Sequence, residues 1–187
     1  MKMAKRILSL LLVLAMVACL GVTAFADDAG TATIKIVVDG ETTTITGSAN
    51  QTLDEVLDQA AEKGFIGTVE WNPVRDWEKP DVIHKALTGI GDNVAETGTS
   101  ADLANSKFSD VTEDAAVPGH PGYYLVGQDG NTYHYVYVGY DWTYTSTTVG
   151  GGDLYTYMCC YTLTAGETVT ITYSLQITDW TQTGAIQ

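Results

Sequence analysis

Apolar and polar residues alternate in the first readable stretch of the chain. In Thr31 to Asp39 (TATIKIVVD), Ile34, Ile36 and Val38 fall on one side, with Lys35 and Val37 on the other. Period-two spacing of this kind predicts a half-buried strand. Asp39-Gly40 follows, a pair that tolerates positive φ at both central turn positions, so a tight hairpin returns the chain along Glu41 to Gly47. The period then changes. Leu53, Val56, Leu57, Ala60 and Ala61 recur at helical spacing and form one apolar stripe. Thr52 and Glu55 are placed as a capping box. Asp54, Glu55 and Asp58 suit the positive end of the helix dipole, and Gly64 suits a left-handed stop.

Residues 67–121 break the pattern and read as a long irregular insertion. A short helix is expected over Asp81 to Leu87, and Phe108 is the one large apolar anchor of the polar part. From Gly122 alternation resumes. Strands are predicted at Tyr123 to Gly127 and Thr132 to Tyr140, joined at Gln128-Asp-Gly-Asn131, with extended chain on to Thr148. Val149 to Asp153 is a Gly-rich turn. Leu154 to Leu163 reads as a strand, and Thr168 to Leu175 as the last one. One helix on one face of a mixed sheet is an α+β plan. In this element order, the expected architecture is a β-grasp-like mixed sheet packed on one helix, with the long insertion after the helix.

The first 26 residues change the picture of where this domain works. Lys2, Lys5 and Arg6 precede an apolar run over Ile7 to Leu20, and Ala24-Phe25-Ala26 is an A-x-A cleavage signal. This is the pattern of a secretory signal peptide, leaving residues 27–187 as a single domain. Cys19 offers a weaker rival, a lipoprotein box. No second apolar run approaches membrane-spanning length, so no membrane span is expected. The whole chain carries a net charge of −14. Without Lys2, Lys5 and Arg6, six basic residues face 23 acidic ones, a net of −17. Such a surface repels nucleic acid, which is excluded as a partner. The expected setting is extracellular, free or associated with the cell surface.

Candidate chemistry is sparse. His84, His120 and His134 show no metal-ligand spacing, and no D-x-D-x-D-G loop is present, so neither metal nor cofactor is expected. A cysteine nucleophile would pair Cys159 or Cys160 with His134 or His120, but no signature surrounds either thiol. On the expected strand the two cysteines point to opposite faces, as two small structural residues. Adjacent Cα atoms are ~3.8 Å apart, too close for an unstrained disulfide. A strained vicinal bond and an intermolecular bridge are the ranked alternatives.

Tyrosine is more informative, since ten of the 11 lie between Tyr123 and Tyr161. Tyr133, Tyr135 and Tyr137 share one face of their strand, opposite His134, Val136 and Val138. Tyr155, Tyr157 and Tyr161 share a face with Cys159. With Trp142 and Tyr144, these residues make a candidate ligand-binding surface: rings with one polar tip suit a half-wet contact with a flat ligand. The competing reading is that one such row packs beneath the helix or insertion and only stabilises the sheet.

The helix TLDEVLDQAAEKG, then Asp141-Trp-Thr-Tyr144, Tyr161-Thr-Leu-Thr-Ala-Gly-Glu167 and Val169-Thr-Ile-Thr-Tyr173 together resemble a bacterial extracellular domain family related to the C-terminal domain of transcobalamin. The resemblance covers about 100 residues and implies a β-grasp fold. It departs after Tyr144, where TSTTVGGGDLYTYM replaces the family's short turn. A corrinoid ligand would follow only by fold analogy. The expectation is therefore a secreted, non-enzymatic binding or adhesion module. Its ligand would be a glycan, a peptide, a surface protein or a corrinoid-like molecule. The alternative is an extracellular assembly subunit that self-associates through sheet edges.

Overall fold

The computed structural model describes residues 30–187 except Trp77, Asp153 and Tyr155. The expected signal peptide at 1–26, Cys19 and the candidate Tyr155 lie outside the described residues. Nine strands and one α-helix occur among the described residues. Strands β1 (Thr31–Val38) and β2 (Glu41–Ser48) form the predicted hairpin, with Asp39 at φ 51° and Gly40 at φ 81° as its turn demands. Helix α1 (Leu53–Glu62) follows, and the Glu55 carboxylate accepts a hydrogen bond from the Thr52 amide at 3.1 Å. Next come β3 (Val69–Arg75), β4 (Ile83–Ile90), β5 (Asn93–Val94) and β6 (Glu96–Thr97). The chain closes with β7 (Tyr123–Asp129), β8 (Thr132–Ser146) and β9 (Thr168–Thr183).

Two sheets result. The larger has the order β2-β1-β9-β8-β6, with β7 also paired to β8; β3, β4 and β5 form the smaller one. The larger sheet is mixed: β1 and β9 run parallel, Ile34 opposite Val169 and Ile36 opposite Ile171, while its other pairs are antiparallel. The α+β class with mixed sheet and one helix therefore holds. The helix stripe of Leu53, Val56, Leu57 and Ala60 is buried on Ile34, Ile36, Ile45, Val169 and Ile171, with Leu87 and Ile90 from the smaller sheet. Each such fully buried aliphatic side chain contributes about 1.5–3 kcal/mol. A second core joins Leu103 to Tyr124, Val136 and Val138, and Phe108 packs against it.

Two expectations need correction. Residues 67–121 are not uniformly irregular, since β3 and β4 pair over most of their length. Most of the short helix expected at 81–87 is instead the start of β4, which begins at Ile83. Its helix-forming residues Lys85, Ala86 and Leu87 are overridden by cross-strand pairing with Pro73, Asn72 and Trp71. Likewise, the described residues of 154–163 do not form a strand. Met158–Cys160 forms a 3-10 turn, with Met158 buried in the main core. The alternating Tyr and Thr residues there imitate a strand, but the backbone bonds run to the start of the helix. The Leu53 amide donates to the Tyr161 carbonyl at 3.0 Å, and the Leu163 amide to the Gln51 carbonyl at 2.9 Å.

Candidate functional site

The 3-10 turn brings both cysteines to the start of β4. Cys159 and Cys160 are free thiols with their sulfurs 3.8 Å apart. His84 on β4 faces both: its Nδ1 lies 3.3 Å from Cys160 Sγ and 3.9 Å from Cys159 Sγ. On the other side of the ring, Nε2 lies 2.9 Å from Asp76 Oδ2. A carboxylate accepts, so Nε2 carries the hydrogen and Nδ1 is turned toward the sulfurs. Tyr157 stacks on the ring at 4.5 Å and fixes its plane.

Local folding explains this convergence. Asp76 sits in the β3–β4 connection and accepts from the Glu78 and Lys79 amides at 2.8 and 2.9 Å, which orients its carboxylate. Lys85, next to His84, ties β4 to the helix through Asp54 at 3.1 Å and Asp58 at 3.3 Å, and lies over the Trp71 ring. The Trp71 indole also donates to Asp58 at 2.7 Å. Beyond the cysteines, Tyr161 donates to the buried Glu167 carboxylate at 2.7 Å, which Ser146 also reaches at 2.8 Å and the Thr164 amide at 2.6 Å. The cluster is thus held from both flanks.

Its electrostatics follow from these contacts. The hydrogen bond to Asp76 and the neighbouring Cys159 hold His84 above the ordinary imidazole range. Asp76 is held below the usual carboxylate range, by His84 first and the two amides next. Burial raises Cys159, but the Lys85 amide, His84 and Cys160 together outweigh it, and the thiol falls below its ordinary value. Burial and Cys159 push Cys160 up. The two thiols are therefore shifted in opposite directions, Cys159 down and Cys160 up. A cavity of about 510 Å³ opens beside them, lined by Asp76, His84, Leu154, Thr156, Tyr157 and Cys160.

The histidine beside the thiols is His84, not the His134 or His120 considered for a cysteine nucleophile and set aside. His120 instead reaches the Gln187 carbonyl at 2.8 Å, and His134 sits on β8 opposite Thr181. His84, Cys159 and Cys160 also place three potential ligand atoms within 4.8 Å of one another. Spacing could not reveal a set separated by 75 residues. The adjacent thiols themselves were the available signal.

The predicted aromatic surface divides in two. Tyr133, Tyr135 and Tyr137 lie on the sheet face away from the helix. Tyr135 is buried at 2% exposure, stacked on Tyr133 and on Trp180, and its hydroxyl accepts from the Ile186 amide at 3.0 Å. Tyr137 meets Tyr123 at 5.0 Å. Trp142 and Tyr144 are on the helix side, in the main core, where burial pushes the Tyr144 hydroxyl up. The parity of strand positions gives the reason: 133, 135 and 137 are odd, 142 and 144 even, so one continuous β8 sends the sets to opposite faces. Tyr157 joins the thiol cluster by stacking on His84.

Trp142 also lines a separate cleft of about 830 Å³ at the far end of the helix. Phe65 and Ile66 come from the turn after α1, Asp39 and Glu41 from the β1–β2 hairpin, and Asp92 from the β4–β5 turn. Trp142 is only 8% exposed, and its indole N–H has no hydrogen-bond partner among the described residues. No helix among the described residues is long and apolar enough to cross a membrane. No protein-family model and no curated protein matches the chain.

Proposed function

We propose that this chain is an exported, non-enzymatic binding module that takes a short basic and aliphatic peptide in the cleft at the C-terminal end of α1. One observation carries the reading: the cleft joins apolar lining residues, including Trp142, to a rim of three carboxylates. Asp39, Glu41 and Asp92 select positive charge, while Phe65, Ile66, Ile36 and Ile90 supply apolar contact. Strand β2, at the end of its sheet and on the cleft wall, offers edge pairing to an extended backbone. Export rests on the n-region, apolar run and A-x-A site at 1–26. A β-grasp arrangement is the finer reading of the fold, supported by the parallel pairing of the first and last strands beside a single crossing helix.

The test is a tryptophan-emission titration with a Lys/Leu peptide and its Glu/Leu counterpart. The basic peptide is expected to shift the emission with a Kd at least tenfold below that of the acidic one. The double variant Glu41→Gln/Asp92→Asn should erase most of that difference. Equal affinity for both peptides, or no response to either while a glycan array lights up, defeats the proposal.

A further inference from the structure

We infer that Cys159 Sγ, Cys160 Sγ and His84 Nδ1 form a three-donor site for one thiophilic, closed-shell metal ion, of the class of Cu(I) or Zn(II). The site lies at the N-terminal end of α1 and is independent of the cleft. Two thiolates and an imidazole are the soft donor set that such ions prefer.

The separations already fit a common centre. With metal–sulfur bonds of ~2.3 Å and a metal–nitrogen bond of ~2.0 Å, the 3.8 Å between the sulfurs subtends about 110°. On the same bond lengths, the sulfur–nitrogen separations of 3.3 and 3.9 Å subtend about 100° and about 130°. Their mean, about 114°, lies between the tetrahedral and trigonal values. A three-coordinate ion is satisfied by them, and a four-coordinate ion retains one position toward the adjoining cavity.

The surroundings are those a ligand set requires. Asp76 accepts from the far nitrogen of His84, which fixes the tautomer that leaves Nδ1 available, the arrangement common behind metal-bound histidines. The Lys85 amide points at Cys159 Sγ from 3.5 Å and stabilises negative charge on sulfur. Tyr157 holds the ring plane. A nucleophile would need one thiol beside the imidazole; here both sulfurs converge on one nitrogen, which suits shared coordination better.

The test titrates the reduced, metal-free full chain with Cu(I) and with Zn(II) against a competing chelator, following native mass and thiolate charge-transfer absorption. One ion per chain is expected. Cys159→Ser/Cys160→Ser should weaken binding at least 100-fold, and Asp76→Asn by about 10–100-fold, the usual effect of losing a histidine's supporting carboxylate. Blocking the thiols of the folded wild-type chain with N-ethylmaleimide should abolish uptake, and this arm does not depend on how a variant folds. Three outcomes overturn the site: neither ion retained by the reduced chain, uptake that survives thiol blocking, or one ion shared between two chains.

Discussion

Glu167 shows how much one residue can hold. It is an acidic residue at 3% exposure, and its carboxylate is satisfied by Ser146, Tyr161 and the Thr164 amide. That network joins the end of β8 to the segment leaving Cys160. Buried charge is tolerated only when hydrogen-bonded this fully. Glu167→Ala removes the acceptor and strands the donors, so the chain should lose about 2–3 kcal/mol of stability. Urea unfolding reads this directly, with Glu167→Gln between the two because the amide retains one acceptor but turns a donor toward donors. A midpoint unchanged in Glu167→Ala would show that the network contributes little. At the same scale, His84 was invisible as a site residue. Its role depends on Asp76 eight residues away and on thiols 75 residues on, and neither separation is a recognisable spacing.

At the scale of elements, legibility followed the range of the forces involved. The β1–β2 hairpin and α1 were readable because their signals are local: Asp39-Gly40 sets the turn, and Thr52 with Glu55 starts the helix. β4 and the 3-10 turn at Met158–Cys160 were misread because their conformations are set by partners distant in sequence. Glycine marks one long-range constraint. A Cβ on Gly47 of β2 would lie 2.6 and 2.9 Å from the two methyl carbons of Val56, so Val56 is accommodated there because position 47 has no side chain. Gly47→Ala should cost about 1–3 kcal/mol through overpacking. Thermal unfolding measures it, and Gly47→Ala/Val56→Ala should recover part of the loss. Recovery is the outcome that distinguishes steric crowding from a backbone effect, because Gly47 has no positive φ to lose.

The whole molecule sets two candidate sites at opposite ends of one helix and one strand. The cleft uses Gly64 to Gly67 and Ile90 to Asn93; the thiol cluster uses His84 and the 3-10 turn that packs at the start of α1. Ten helical residues span ~15 Å at 1.5 Å each. The two sites share no lining residue. A metal charge at that distance is screened, because the Debye length is ~8 Å at physiological ionic strength. Sites this far apart without shared partners normally act additively. Peptide affinity at the cleft should therefore change by less than about twofold when the cysteine site is loaded or removed by Cys159→Ser/Cys160→Ser. Linkage makes the converse hold, so saturating peptide should leave metal affinity equally unmoved. The same two titrations, each repeated with the other ligand present at 0.15 M salt, check this. A reciprocal tenfold shift would mean that α1 and β4 move as a coupled pair, and would replace two independent sites with one allosteric unit.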